Sequence, residues 1–319
     1  MANLSDFKEL KLSDIEGLKQ SPCNIYLTML SGKSIIISSE GNLVNIDLIK
    51  KYNEKDEVKI LVLKTDYQKL LNARISQKVI DMKDKLSDKQ WINRLQRFDN
   101  ELNSVAMVRA MVSIIGLSEA TLELIDGTID STLYTFEKIP SLKTILADIC
   151  GRGDFFLQKA LIINYLSVYA ISKTPWNNSS TRSKLSMASF LHDFKTDKID
   201  FILKGLPVDS SYDLRQQYEK FKTHSEDEFR SLVKVNDVPD DVAKIVRLHH
   251  VDLDGTGFPV NEVGQLNPLS QIFNISHGFA LALLDQGYSK KSYSGYYYDL
   301  SGRILEKYKD SLDPFSYLL

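Results

Sequence analysis

From about residue 104 almost to its end, the chain carries a helical pattern of apolar residues, and this feature constrains the fold most. Proline punctuates the pattern without interrupting long helical periods. The prolines are Pro140, Pro175, Pro207, Pro239, Pro259 and Pro268. We therefore expect a multi-helix domain over residues 105–319.

The beginning of the chain has a different pattern. Residues 24–30, 34–38 and 58–63 are β-rich runs, and a short helix is predicted between them at residues 43–52. These signals predict a small α/β module at residues 1–72.

A stripe of apolar residues at helical spacing follows this module. It consists of Ile75, Val79, Met82 and Leu86, with Lys and Asp between them. The stripe predicts a helical connector at residues 73–104, and a dimer seam stays open as a second interpretation. The predicted fold class is therefore α+β, with a small α/β N-terminal module before a mainly α-helical domain.

Charge and cysteine usage restrict the partners. Lys plus Arg total 40 against 42 for Asp plus Glu, so the basic excess expected of a protein that coats polymeric nucleic acid is missing. Cys23 and Cys150 lie far apart and fit a reducing compartment better than a disulfide scaffold. No apolar run approaches the roughly 18 residues of a membrane span. We expect a cytoplasmic protein without a membrane span.

All five histidines lie between residues 192 and 277. A single buried histidine is usually a core residue, but one of these precedes Asp193 and two are adjacent, which favours a metal site. His192-Asp193 is predicted at the end of a buried helix, and His249 at the inner face of a helix that Pro239 starts. His224 could instead be a surface residue and His277 a core residue.

Two stretches resemble the motifs of HD-GYP domains, a family of metal-dependent phosphohydrolases. His192-Asp193 resembles the HD dyad, and HHVDLDGTGFP at residues 249–259 resembles the HHExxDGxGYP motif. The resemblance covers roughly residues 110 to 319, and the second motif is long and specific. It implies a helical domain that uses several metal ions, often iron or manganese, to open cyclic di-GMP by hydrolysis.

Carried over residue by residue, the resemblance implies a metal site and a substrate-binding loop. The implied metal ligands are His192, Asp193, His224, His249, His250 and His277. Asp193, as the bridging carboxylate, and Lys195 are the implied catalytic residues. The implied substrate-binding residues are Asp254, Gly255, Gly257, Phe258 and Pro259. One or two divalent ions are expected, iron or manganese from the resemblance, with zinc or nickel as alternatives because imidazole-rich sites bind them well.

The sequence also departs from the family's pattern. The family has a further histidine ligand about 30 residues before the dyad, where this chain has residues 157–161 and no histidine. Whether Gln158 or Lys159 fills that place stays open. The phosphate-contacting lysine of the family is displaced, with Lys195 or Lys198 as the substitutes left open, and Phe258 replaces a tyrosine.

Two functions of different classes follow. The first is a divergent metal-dependent phosphodiesterase acting on a cyclic dinucleotide, cyclic di-GMP, and whether its activity is retained, reduced or lost stays open. The second is a non-catalytic cyclic di-GMP receptor or signalling protein that keeps the fold. The set Asp193, His224, His249 and His250 makes us favour the first. A homodimer or a GGDEF-type signalling partner stays open, and the looser resemblance of the N-terminal module to those that precede such domains implies regulation.

Overall fold

The computed structural model describes residues 4–29, 34–53, 58–88, 93–139, 141–197 and 210–319. Two of the punctuating prolines, Pro140 and Pro207, lie outside these residues, and so does Lys198. The chain divides into two units, Met1–Asp84 and Lys85–Leu319. The predicted fold class is confirmed, because a small sheet lies near the N-terminus and helices make up the remainder of the described chain.

The first unit is built on an antiparallel sheet. Its strands are β1 (Phe7–Glu9), β2 (Ile25–Met29), β3 (Ser34–Ser38) and β4 (Val58–Leu63). Their order in the sheet is β1-β4-β2-β3. The register of β2 against β4 sets Ile25 opposite Val62 and Leu27 opposite Ile60, and all four side chains are buried. Because side chains alternate along a strand, this register gives the sheet one continuous apolar face.

Two helices complete this unit. Ile49 of α1 (Ile46–Asn53) and Leu70 of α2 (Tyr67–Ser87) are buried in the same apolar cluster as the sheet residues. The predicted stripe falls on α2, where Val79 and Leu86 are buried. The dimer interpretation of this stripe stays a prediction.

Over its described residues, the second unit is built mainly of α-helices. They are α3 (Arg94–Ile115), α4 (Glu119–Lys138), α5 (Leu142–Ile149), α6 (Phe155–Ser172), α7 (Ser179–Leu191), α8 (Tyr212–Lys222), α9 (His224–Leu232), α10 (Asp240–Leu248), α11 (Pro268–Gln286), α12 (Lys290–Arg303) and α13 (Asp313–Ser316). Most begin after a serine, asparagine or aspartate whose side chain accepts a hydrogen bond from the first turn, as Asp154 and Asn178 do. Such caps satisfy backbone N–H groups that have no partner within the helix.

Helix α6 forms the centre of this unit and is buried on nearly every side between Leu157 and Ile171. It packs against α7 and α11, the helices that carry the dyad and His277. Among the described residues, α6 is also the one helix long and apolar enough to cross a membrane, but 72% of that window is buried inside the protein. Its apolar composition therefore fits a core helix.

Candidate metal centre

The His-Asp dyad lies where α7 ends. The helix stops at Leu191, His192 is its C-cap residue, and both His192 and Asp193 are buried. Arg109 on α3 holds this turn, because its guanidinium donates to the carbonyl of Asp193 at 2.8 Å and to the carbonyl of Thr196 at 3.0 Å. The dyad is thus fixed by the end of one helix and by an arginine from another.

His224 and His249 also lie at helix ends. Helix α8 stops at Lys222, Thr223 forms the joint, and His224 begins α9. His249 is the C-cap residue of α10. His224 is buried, at 7% exposure, so it is not the surface residue that the sequence left open.

His192, His224 and His249 each make the same type of hydrogen bond, and this bond orients the ring. In each ring Nδ1 meets the carbonyl oxygen three residues earlier, at 2.9 Å for His192 and Ser189, 2.6 Å for His224 and Phe221, and 2.6 Å for His249 and Val246. A carbonyl oxygen only accepts, so Nδ1 carries the proton and donates. Nε2 is then the nitrogen left to bind a metal.

The rings of His224 and His249 converge on one carboxylate oxygen. Asp193 Oδ1 lies 3.2 Å from Nε2 of His224 and 3.4 Å from Nε2 of His249, and the two nitrogens are 3.4 Å apart. With His250 they form a group whose ligand atoms all lie within 4.8 Å of one another. We call Asp193, His224, His249 and His250 the four-ligand group.

The pKa values of Asp193, His249 and His250 favour the deprotonated forms that can bind a cation. Burial, together with the neighbouring imidazoles in the case of His250, holds the pKa of His249 and His250 below the usual range. Burial alone would raise the pKa of Asp193, but the ammonium of Lys159 beside it holds that pKa well below its usual range. The neutral imidazoles of His249 and His250 thus lie beside an ionised carboxylate.

The donor set fits a divalent transition-metal ion. Asp193 Oδ1 and His250 Nε2 are buried and lack a hydrogen-bond partner within the described part of the chain. Ligands bound at about 2.1 Å in a tetrahedral arrangement lie about 3.4 Å apart, close to the 3.2–3.4 Å found among Asp193 Oδ1, His224 Nε2 and His249 Nε2. Three imidazoles with one carboxylate are ligands that zinc, nickel, iron and manganese accept.

A second set of polar groups lies at the other carboxylate oxygen. Lys159 on α6 is fully buried and its ammonium pairs with Asp193 Oδ2. His192 Nε2 lies 3.6 Å from the same oxygen, and His277 Nε2 lies 3.4 Å from Lys159 Nζ. Gln158 turns instead to the backbone N–H of Gly151, at 2.8 Å. Of the two residues that the sequence left open, Lys159 is therefore the one whose side chain reaches Asp193.

The predicted catalytic Lys195 has other partners. Its ammonium donates to Ser231 Oγ at 2.5 Å and to the Asp227 carbonyl at 3.3 Å, both on α9. A catalytic role would require these bonds to break. Its backbone N–H donates to Glu228, a buried carboxyl whose pKa is raised well above its usual range by burial and by the charge of Asp193.

The loop after His250 is a tight hairpin. The N–H of Phe258 donates to the His250 carbonyl at 3.0 Å, and the N–H of Asp252 donates to the Thr256 carbonyl at 3.0 Å. Gly257 has φ +86°, and a Cβ there would lie 2.0 Å from the His250 carbonyl oxygen. Only glycine therefore permits this close return of the chain.

Of the predicted substrate-binding residues in this loop, some line a pocket and others hold the shape of the loop. Gly257 and Phe258 line a pocket of about 410 Å³, and the ring of Phe258 stacks on His250 with centroids 4.3 Å apart. Asp254 is occupied by the Thr256 N–H at 2.9 Å and by Arg303 at 2.5 Å. Gly255, at φ +94°, and Pro259 shape the loop on either side.

The pocket joins the histidines to aromatic and cationic groups. His249, His250 and His277 line it together with Tyr218, Phe221, Tyr296 and Arg303. Gly278 on α11 allows Tyr296 to approach, because a Cβ there would lie 1.7 Å from the Tyr296 hydroxyl oxygen. A volume in this range is that of a small-molecule site.

Several residues of the centre were missed by sequence reasoning. Asn274 on α11 donates to the carbonyls of Leu248 at 2.8 Å and Val251 at 2.7 Å, and so holds the turn that carries His249 and His250. Arg109 and Glu228 belong to no recognisable sequence motif. Lys159 did give a signal, because a lysine within the most apolar helix of the described chain needs a buried partner.

In this helical unit a His-Asp pair and a His-His pair lie at the ends of two helices, and their side chains meet at the Asp193 carboxylate. The whole chain is similar to a solved structure, Bd1817, described as an HDG"Y"P protein from Bdellovibrio bacteriovorus. The TM-score is 0.52 at 18% identity, over 96% of this chain and 98% of that one. The likeness confirms the predicted HD-GYP-type fold. No family model matches the sequence, and no curated protein does.

Proposed function

We propose that the protein is a metal-dependent phosphodiesterase that hydrolyses a cyclic dinucleotide, cyclic di-GMP, to its linear form. The observation that carries the proposal is the four-ligand group, which opens through His249 and His250 into the pocket. A divalent cation supplies two effects when bound in such a group: it acidifies a water ligand and offsets charge on phosphoryl oxygens.

The side chains of the pocket have roles that suit a nucleotide. Tyr218, Phe221 and Phe258 present aromatic rings on which a base can stack. Arg303 lines the same pocket and is held by Asp254 and by Asp299, the latter at 3.0 Å. Its guanidinium is a donor for phosphate oxygens.

The experiment is hydrolysis of cyclic di-GMP by the full-length protein after reconstitution with manganese or iron(II), with the linear dinucleotide separated by chromatography. We expect turnover in the wild type and none in Asp193→Ala. Asp310→Ala, an exposed carboxylate in the C-terminal helical turn, is the matched control and should keep wild-type turnover. Failure of the wild type to form linear product with either metal would refute the hydrolase.

A second candidate is a cyclic di-GMP receptor without turnover. It is favoured by Phe258, which lacks the hydroxyl of the family's tyrosine, and by the engagement of the Lys195 ammonium with α9. Cyclic di-GMP binding by calorimetry in the absence of any product would support it. Both proposals include the same further expectations, namely a homodimer or a GGDEF-type partner, a regulatory role of residues 1–72 and a cytoplasmic location.

A further inference from the structure

Lys159 is a cation placed by the fold inside the metal centre. Its side chain is 0% exposed and its ammonium pairs with Asp193 Oδ2. An ammonium only donates, so His277 Nε2, 3.4 Å away, is positioned to accept from it. The lysine is thus held by a carboxylate on one side and an imidazole on another.

Asp193 divides its two oxygens between two environments. Oδ1 faces His224 and His249, at 3.2 and 3.4 Å. Oδ2 faces Lys159, with His192 Nε2 at 3.6 Å. A carboxylate that bridges two cations has this arrangement, with one cation at each oxygen. Here the group at the second oxygen is already positively charged.

The groups around the ammonium would otherwise form a second ligand set. Asp193 Oδ2, His192 and His277 offer a carboxylate oxygen and two imidazoles, and the His192 and His277 rings are 5.6 Å apart. His192 Nε2 is buried without a hydrogen-bond partner among the described residues. An ammonium at this place takes up the space of an ion and repels it. It brings positive charge but no site for a water ligand.

We infer that Lys159 takes the place of a second metal ion, so that the centre binds one divalent cation per chain, in the four-ligand group, beside the buried ammonium that pairs with Asp193 Oδ2. The inference rests on the proposed metal site and does not require that the site turn over substrate. The resident ion is expected at Asp193 Oδ1, and positive charge at Oδ2 then comes from the chain itself.

The test is the metal content of the full-length protein. Protein stripped with chelator is reloaded with excess manganese, freed of loose ions by gel filtration and analysed by elemental mass spectrometry. We expect one ion per chain in the wild type. Lys159→His exchanges the ammonium for a ligand and should bind two. Electron paramagnetic resonance should show an isolated manganese ion in the wild type and a spin-coupled pair in the variant.

Lys173→His is the matched control. Lys173 is an exposed residue that caps the far end of the same helix, so the variant adds a histidine away from the centre and should keep one ion. If Lys159→His does not fold by circular dichroism, Lys159→Gln replaces it, because an amide oxygen is also a manganese ligand. The expectation of two ions stays the same.

Two ions in the wild type, no ion in the wild type, or a single ion in a folded Lys159→His or Lys159→Gln variant would each overturn the inference. These results are separate from those on function. One ion without hydrolysis refutes the hydrolase and leaves the inference standing. Hydrolysis by a wild-type protein that holds two ions per chain would support the hydrolase and refute the inference.

Discussion

In His192, His224 and His249, one hydrogen bond from Nδ1 both pairs a backbone carbonyl at a helix end and orients the imidazole ring. The carbonyls of Ser189, Phe221 and Val246 lie in the last turns of α7, α8 and α10, where backbone oxygens lack a helical partner. The imidazole Nδ1–H satisfies that oxygen, and the bond fixes the tautomer that leaves Nε2 toward Asp193. A helix end followed by histidine is therefore a local device for presenting a metal ligand.

The Lys159–Asp193 pair makes a residue-scale prediction for the metal-free protein. Lys159→Met keeps an unbranched chain but leaves the Asp193 carboxylate buried without its counter-charge. Breaking one side of a buried pair costs about 3–5 kcal/mol of unfolding free energy. Urea unfolding in the presence of chelator measures this loss.

The double variant Lys159→Met with Asp193→Asn is the control for that prediction. It removes both charges, so it should regain a large part of the lost stability. A double variant no more stable than Lys159→Met alone would show that the charge pair is not the cause.

Asn274 supports a second residue-scale prediction. Asn274→Ala removes both hydrogen bonds to the turn that carries His249 and His250. Loss of a group that positions metal ligands lowers metal affinity by about 10–100-fold. Competition against a chelator of known affinity measures the change. Asn177→Ala, in an exposed loop, should leave affinity at the wild-type value, and equal affinities in all three proteins would contradict the positioning role.

The sequence could name the candidate ligands of the centre but not their arrangement. Histidine and aspartate in a long motif are recognisable because the chemistry demands those residue types. Lys159 lies on α6 and Asp193, 34 residues later, lies just beyond the end of α7, so only the fold shows that the lysine ends at the carboxylate. Asn274 acts through its amide on backbone carbonyls, and that role leaves no spacing signal in the sequence.

At the scale of elements, α3, α4 and α6 meet around a buried carboxyl. Glu101 on α3 accepts hydrogen bonds from Tyr165 at 2.6 Å, Thr135 at 2.7 Å and Ser131 at 3.0 Å, and Arg97 lies 3.8 Å away. Burial raises the pKa of Glu101 and outweighs the lowering by these donors and by Arg97. The junction is therefore sensitive to pH.

The sign of that sensitivity follows from linkage. The folded-state pKa of Glu101 lies above its unfolded value of about 4.3, so its contribution to stability is full below that pH and is lost as pH rises through the folded pKa. Glu101→Gln is neutral throughout. Its stability relative to the wild type should therefore improve by up to about 1.4 kcal/mol per pH unit within that window.

Urea unfolding of both proteins at a series of pH values above 4.3 checks this prediction. Thr135→Val, which removes one donor and keeps the carboxyl, should retain the pH dependence of the wild type. A constant difference between Glu101→Gln and wild type across the series would mean that Glu101 keeps its usual pKa in the folded protein.

Element boundaries were predictable where the capping chemistry is strong. Pro239 followed by two aspartates marks the start of α10, and the structure begins that helix at Asp240. The break at Thr223 was not predicted, because the apolar spacing of α8 continues to Phe221 without a proline or glycine to end it. Tertiary burial of His224 and Phe221 decides that break, and burial is absent from local sequence signals.

At the scale of the whole molecule, the two units differ in what a metal can do to them. All residues of the four-ligand group belong to Lys85–Leu319, and a cation that binds only the folded state stabilises the unit that holds its ligands. Metal therefore acts as a probe that separates the stability of this unit from that of Met1–Asp84.

The corresponding prediction concerns thermal unfolding of the full-length protein. At a free-ion concentration of about 100 times the dissociation constant, binding adds about 2.7 kcal/mol, which raises the Tm of a unit of this size by about 5–10 °C. Calorimetric scans with chelator and with manganese should show that rise for the transition of Lys85–Leu319. Asp193→Ala should show none, because Oδ1 is the anionic ligand of the group. An equal rise in Asp193→Ala would place the stabilising ion elsewhere on the chain.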